Sequence, residues 1–192
     1  MTIRLLRTLR LDVSDSFVFE TAAAPGEWAV PGSFVFWNED LTALAGKRRQ
    51  AFRSGFLGLT SFGWSTLAMV CEASDEEREE AVGLLAAYLC QHHGAPDEKA
   101  AQAAAREEVA FMESLADHPS QTVIALTRRL DDKGDISEQF RTLHRIETAK
   151  GAGLPCSAGA FFAVEAHEAA PAGEDVDFSR LMTASTDGSS SR

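Results

Sequence analysis

The sequence predicts an α+β fold, in which a mostly antiparallel sheet packs with an αα-hairpin and one further short helix. Two observations favour this class: strand-like stretches lie on both sides of the chain's centre, and two helical segments follow one another between residues 74 and 116. Strands and helices do not alternate, which argues against a doubly wound parallel sheet. The 192 residues, 45% hydrophobic and 24% charged, have the composition of an ordinary globular protein.

The first predicted element is a strand that begins at Ile3. Alternate apolar residues share one of its faces, with Arg7 as the exception: Ile3, Leu5, Leu9 and Leu11. The arginines at positions 4, 7 and 10 would equally suit a helix with a basic stripe. We prefer the strand because the polar residues at 12–15 then form a turn into a second strand over 17–19.

Two Pro-Gly pairs, at 25–26 and 31–32, bracket residues 27–30 and are typical of type II turns around a short strand. The tetrapeptide Ser-Phe-Val-Phe occurs at 16–19 and again at 33–36, which predicts two similar aromatic strands in one sheet. A short helix is predicted over 40–52, and another strand over 65–72.

The clearest helix begins at Ser74, because Ser74 and Glu77 match the capping-box pattern. Its apolar stripe is Val82, Leu85, Tyr88 and Leu89, and it ends at His92-His93-Gly94. A second helix is predicted from Pro96-Asp97 to about Ala116. The connection is so short that the two helices must fold back on each other as an αα-hairpin.

Residues 122–130 are rich in β-formers and are followed by a polar turn at 131–135. The next segment, 136–147, is predicted as a returning strand, with a helix as the competing interpretation. A last strand is predicted over Ala160–His167. We therefore expect one domain over residues 1–170 and a disordered, acidic and Ser-rich tail over 171–192.

The net charge of −11 is concentrated in the helical hairpin. Residues 1–71 carry six acids and seven bases, whereas residues 72–117 carry twelve acids and three bases. One hypothesis is a docking surface for a basic protein partner, formed by the four glutamates Glu76, Glu77, Glu79 and Glu80. The alternative is a solvated face that keeps the protein soluble.

The Gly-rich loop 150–159 is the main candidate for chemistry. Gly151 and Gly153 could bring backbone N–H groups close to an anion, Lys150 could attract it, and Cys156 could act as a nucleophile. The alternative is a connector with a buried thiol. The cluster that contains Arg48 and Arg49 could hold a phosphate or another anionic group, or form the exposed side of a helix.

Cys90 and His93 lie three residues apart on a helix and could bind zinc together with a third ligand. No second spaced pair of ligands is present, and a positively charged His92-His93 pair that caps the helix is the preferred interpretation. The motifs of serine hydrolases, zinc peptidases, P-loops and dinucleotide-binding folds are all missing. We therefore expect no cofactor.

The acidic balance argues against a broad nucleic-acid-binding surface, and no apolar run is long enough to span a bilayer. Three cysteines at irregular spacing suit neither a disulfide framework nor a paired zinc site. A reducing cytoplasm is the expected location.

Two stretches, at 25–37 and 46–67, resemble a family of small alphaproteobacterial proteins known as a domain of unknown function. The resemblance covers residues 1 to about 168. It implies a bacterial cytoplasmic setting and carries over no activity or site residues.

The function expected from these observations is a non-catalytic accessory or protein-interaction domain. It would present its acidic hairpin to a basic partner, or pack its sheet in a homodimer. The alternative is a small enzyme or anionic-ligand-binding protein that uses the Cys156 loop, with Lys150 or Arg48 and Arg49 as the anion-recruiting residues.

Overall fold

The computed structural model describes residues 3–143, and this part of the chain contains two antiparallel sheets and three α-helices. The strands are β1 (Ile3–Leu9), β2 (Ala29–Val30), β3 (Phe56–Gly58), β4 (Trp64–Ser65), β5 (Leu67–Ala73), β6 (Val123–Leu130) and β7 (Ile136–Leu143). The helices are α1 (Gly46–Ser54), α2 (Asp75–His92) and α3 (Glu98–Leu115). The larger sheet has the order β1-β5-β6-β7 and the smaller one the order β2-β3-β4. The predicted α+β class is confirmed.

One face of the larger sheet is buried in its central part. Directly paired residues of antiparallel strands point to the same side of a sheet, and the register pairs Leu6 with Val70 and Ala68 with Ile124. Seven side chains of this face are at most 4% exposed: Leu6, Thr8, Ala68, Val70, Ile124, Leu126 and Arg128. The face is more open at Glu72 and along β7.

The strand predicted at the N-terminus is confirmed, and the alternative helix is wrong. The predicted apolar face is correct only in part, because Leu11 lies beyond the end of β1 and is 54% exposed. Leu5 and Leu6 point to opposite faces and are both fully buried. A strand that is covered on both sides does not show the simple alternation from which its face was predicted.

The two aromatic strands predicted from the repeated tetrapeptide are wrong. Residues 33–36 form a 3₁₀ helix, and a second 3₁₀ helix over Val13–Phe17 replaces the expected turn and strand. Asp12 accepts a hydrogen bond from the N–H of Ser14, and Asp15 accepts one from the N–H of Asp12. Such local side-chain contacts satisfy the backbone without a neighbouring strand.

The short helix predicted over 40–52 begins later, at Gly46, and ends at Ser54. Asp40 causes part of the difference, because its carboxylate accepts hydrogen bonds from both the N–H and the hydroxyl of Thr42 and holds a turn before the helix. In α1 itself, Ala51 and Phe52 are the buried residues.

The αα-hairpin is confirmed. Ser74 and Glu77 form the predicted capping box at the start of α2, and Asp97 caps α3 by accepting the N–H of Ala100. The two helices are antiparallel, since residues near the start of α2 contact the second half of α3. Two ion pairs join the helices, Arg78 to Glu113 at 3.0 Å and Glu79 to Arg106 at 2.9 Å.

The segment after residue 135 is a strand as predicted, and the competing helix is wrong. β6 and β7 form a hairpin whose turn is held by Asp131, which accepts hydrogen bonds from the N–H groups of Lys133 and Asp135. The predicted strand Ala160–His167, the domain limit at residue 170 and the tail 171–192 lie outside the described residues.

Buried Arg128 on β6 ties α1 and the smaller sheet to the larger sheet. Its guanidinium donates to the carbonyl oxygens of Pro31, Phe52 and Gly55, and its Nε donates to Glu138 on β7. The segment after β2 and the end of α1 are therefore fixed to the same point. Within residues 3–143, no helix combines the length and the apolar character needed to cross a membrane.

Candidate functional site

A cavity of about 120 Å³ lies between α1, the second half of α2 and the loop that precedes β4. It has room for several water molecules or for the head group of a small metabolite. The residues that line it are Glu20, Thr21, Val35, Lys47, Arg48, Ala51, Phe62, Trp64 and Tyr88. We call this cavity the basic aromatic pocket.

Helix α1 supplies the two positive charges of the pocket. Ala51 lies four residues after Lys47 and three after Arg48, so all three side chains lie on neighbouring positions of one helix face. Ala51 is buried, which places this face against the protein and the two charged side chains at the cavity wall. Arg49 is exposed and does not line the cavity.

Aromatic side chains form the opposite wall. The ring of Phe62 is stacked on the ring of Tyr88, with centroids 4.2 Å apart and an interplanar angle of 16°. Phe62 has a positive φ of 51°, an unusual conformation for a bulky residue, and this conformation presents its ring to α2. Trp64 completes the wall and packs on Phe36, with ring centroids 5.1 Å apart.

The Arg48 guanidinium is held from two directions. Its Nε lies 3.1 Å from both carboxylate oxygens of Glu39, and its Nη2 also donates to Glu39. The ring of Phe36 lies beneath the guanidinium, 4.5 Å from Cζ to the ring centroid. The hydrogen bond to Glu39 raises the pKa of Arg48, so this residue is a permanent positive charge.

Tyr88 and His93 are neutral groups beside these charges. Burial raises the pKa of Tyr88, and burial together with the nearby His92 and Arg48 lowers the pKa of His93. The His93 ring packs against Phe34 and Tyr88, with centroids 5.4 and 5.2 Å away. Burial thus disfavours the charged form of His93, whereas His92 is the basic residue of the last turn of α2. The charged cap stays a prediction.

The structure brings together only some of the predicted site residues. Arg48 lines the pocket, whereas Arg49 points elsewhere. Cys90 is exposed, and within residues 3–143 no three potential metal ligands form a group with Cys90 and His93 or at any other place. The remaining loop candidates all lie outside the described residues: Lys150, Gly151, Gly153 and Cys156.

The four glutamates of the proposed docking surface are not equivalent. Glu77 accepts the N–H of Ser74 and pairs with Arg7 at 3.1 Å, while Glu79 pairs with Arg78 and Arg106. Glu76 and Glu80 are exposed, and no ion pair joins either of them to another residue of the described range. The docking surface stays a prediction. Of its four glutamates, Glu76 and Glu80 are the two without an ion pair in the described part of the chain.

Sequence reasoning missed most of the pocket. Glu20, Thr21 and Phe62 come from separate loops, and Tyr88 was assigned to the apolar stripe of α2. One signal could have raised the importance of Tyr88: it is the chain's single tyrosine. A half-buried hydroxyl on a helix face that otherwise packs apolar side chains needs either a polar neighbour or access to water through a cavity.

Comparison with known families identifies a match over most of the chain. A family of unknown function (DUF6505) matches residues 2–153, which include all residues of the pocket and the whole αα-hairpin. The chain belongs to this family. The match confirms the resemblance to a domain of unknown function over residues 2–153. It includes Lys150, Gly151 and Gly153 and ends before Cys156. Among curated proteins and solved structures, nothing matches the chain.

Proposed function

We propose that this protein binds a small anionic metabolite in the basic aromatic pocket. The observation that carries the proposal is that Lys47 and Arg48 line the same cavity as three aromatic side chains. A concave site with aromatic walls and a few convergent polar groups is the usual form of a small-molecule site. Tyr88, whose pKa is shifted by burial, is a further feature of such sites.

The polar groups of the pocket favour an anion over a cation. Two side chains of the lining are positively charged and one, Glu20, is negatively charged. The hydroxyl groups of Thr21 and Tyr88 are additional donors. Charge-assisted hydrogen bonds from such donors are among the strongest that a site can offer to a carboxylate or phosphate.

Titration calorimetry with acetate and with inorganic phosphate tests this function. A Lys47→Gln/Arg48→Gln variant should bind the anions at least tenfold more weakly than the wild type, because each hydrogen bond to a charged group contributes about 1.5–3 kcal/mol. Arg49→Gln removes a neighbouring charge of the same helix that lies outside the pocket, and should change the affinity less than twofold. If the wild type and both variants bound the anions equally well, the pocket would not be the anion-binding site.

The acidic hairpin supports a second candidate function, the docking of a basic protein. The observation that favours it is the position of Glu76 and Glu80, whose carboxylates are exposed on the first turns of α2 without an ion pair in the described part of the chain. Exposed charge of one sign speeds the encounter with an oppositely charged partner and loses its effect at high salt.

A further inference from the structure

We propose that the ligand of the basic aromatic pocket is a carboxylate, and that it competes with Glu39 for the guanidinium of Arg48. This inference rests on the proposed function and names the chemical class of the ligand and the group that competes with it. Glu39 therefore acts as an internal competitor of the pocket.

The contact between Arg48 and Glu39 has the geometry of carboxylate recognition. Two nitrogens of the guanidinium, Nε and Nη2, donate to the carboxylate of Glu39 from one side. Parallel N–H groups of this kind match a planar carboxylate. Arg48 lines the cavity, whereas Glu39 does not. A carboxylate in the cavity and Glu39 outside its lining can therefore compete for the same guanidinium.

The exchange of one carboxylate for the other requires that the Glu39 contact is weak. Both side chains of this ion pair are 31% exposed, and pairs that remain in contact with water contribute little to stability. Glu39 lies in the irregular segment before α1, next to the turn formed by Asp40 and Thr42. Its side chain can leave Arg48 without the loss of a helix or strand.

Arg48 keeps its orientation when Glu39 leaves, because a second contact holds it. The ring of Phe36 is fully buried and lies against the guanidinium, with Cζ 4.5 Å from the ring centroid. The site is thus preorganised for the incoming group, which reduces the entropic cost of binding. The walls formed by Phe62, Trp64 and Tyr88 suit an apolar or aromatic body attached to the carboxylate.

The test is calorimetric titration of the full chain with benzoate and, in parallel, with inorganic phosphate. The wild type should bind benzoate, and Glu39→Gln should bind it about two- to fivefold more tightly, because the variant lacks the competing charge. Asp40→Asn is the matched control: it removes the adjacent carboxylate, which bonds to Thr42 and not to Arg48, and should leave the affinity within twofold. Arg48→Lys keeps the charge without the planar fork and should bind benzoate at least tenfold more weakly.

The outcomes separate the inference from the function on which it rests. If the wild type binds phosphate but not benzoate, or if Glu39→Gln does not tighten benzoate binding while Arg48→Lys weakens it, the inference is wrong and the anion site remains. If neither anion binds, the proposed function fails. Thermal unfolding of each variant shows whether it is folded, and ¹⁵N chemical shifts of the Arg48 Nε in the wild type report directly whether benzoate replaces Glu39.

Discussion

Glu108 on α3 accepts a hydrogen bond from the backbone N–H of Gly32 at 3.1 Å, so a buried carboxyl group joins the hairpin to the segment that follows β2. Gly32 is in the left-handed region, with φ +73°, and a Cβ added to it would lie 2.7 Å from the Cβ of Leu57. The site thus needs a glycine for two reasons, backbone conformation and space. The close approach of Gly32 to Leu57 thus fixes the N–H group that binds the buried carboxyl group of Glu108.

The buried Glu108 makes stability depend on pH. Burial raises its pKa from 4.5 to about 7, while the Gly32 hydrogen bond opposes the rise. The folded protein therefore holds the proton more tightly than the unfolded chain. The resulting stabilisation is complete below pH 4.5 and is lost as the pH rises to about 7, with a total loss of about 3 kcal/mol.

Replacement of Glu108 by Gln tests this effect. The amide keeps the shape and an acceptor for Gly32 but cannot ionise. The free energy of unfolding of Glu108→Gln should therefore match that of the wild type near pH 4.5 and exceed it at pH 8. Urea unfolding at the two pH values measures the difference. A constant difference between the two proteins across this range would show that the pKa of Glu108 is the same in the folded and unfolded states.

Arg128 should be among the most sensitive residues of the core. It is fully buried, and its guanidinium satisfies three backbone carbonyl groups together with Glu138. Arg128→Met keeps much of the side-chain volume but leaves these acceptors without their donor. We expect a loss of about 3–5 kcal/mol in the free energy of unfolding.

Arg129→Met is the natural control for Arg128, because Arg129 is the next residue of β6 and is exposed. Urea unfolding of Arg129→Met should differ from the wild type by less than about 0.5 kcal/mol. If the two methionine variants were equally stable, the contacts of Arg128 would not hold α1 and the smaller sheet to β6.

The parts of the fold that the sequence predicted correctly are those with local signals. The capping box of Ser74 and Glu77 identified the start of α2, and the polar turn at 131–135 identified the β6–β7 hairpin. The tetrapeptide at 33–36 was assigned to a strand because alternating aromatic residues are typical of a strand, although they can also form a 3₁₀ helix. Its 3₁₀ conformation follows Gly32, whose positive φ agrees with the type II turn predicted from the Pro-Gly pair at 31–32.

The candidate site was largely hidden because it is assembled from distant segments. Arg48 was identified from its basic neighbours, but its position in a cavity depends on Phe62 and Tyr88, which are brought to it by packing. The buried arginine at 128 gave no signal in the sequence, since an alternating strand with charged residues is read as a half-exposed strand. Nothing local shows which charged residue of such a strand points inward.

Glu27 should control the shape of the pocket from a distance. Its carboxylate is 9% exposed and accepts hydrogen bonds from the N–H groups of Ala24, Thr60 and Ser61 at 2.6–2.7 Å. Two of these donors directly precede Phe62. Glu27→Gln replaces an acceptor oxygen by a donor, so it should cost about 1.5–3 kcal/mol of stability and loosen the loop that carries Phe62.

Hydrogen exchange is the sharpest measurement of this effect. The amides of Thr60 and Ser61 should exchange faster in Glu27→Gln than in the wild type, and anion binding to the pocket should weaken in parallel. Glu72→Gln, at an exposed glutamate, is the control and should change neither quantity. Unchanged exchange at Thr60 and Ser61 would mean that the loop is held by other contacts.

The docking hypothesis for the hairpin is best tested with Glu76 and Glu80, which form no ion pair within residues 3–143. Reversal of Glu77 or Glu79 would also break the capping box or the ion pairs with Arg78 and Arg106, so a loss of binding would be ambiguous. The variant Glu76→Lys/Glu80→Lys avoids these contacts. In affinity capture from the native cell, this variant should lose a basic partner that the wild type retains at low salt and releases at high salt.

The control for this capture is Glu107→Lys, which changes an exposed glutamate of α3 for which the described residues show no ion pair. It should retain the partner if binding depends on the first turns of α2 and not on the net charge of the protein. The melting temperatures of both variants should stay close to that of the wild type, because neither variant removes a contact between the helices. Equal recovery of partners by the wild type and by Glu76→Lys/Glu80→Lys would leave these glutamates with the simpler role of keeping the hairpin soluble.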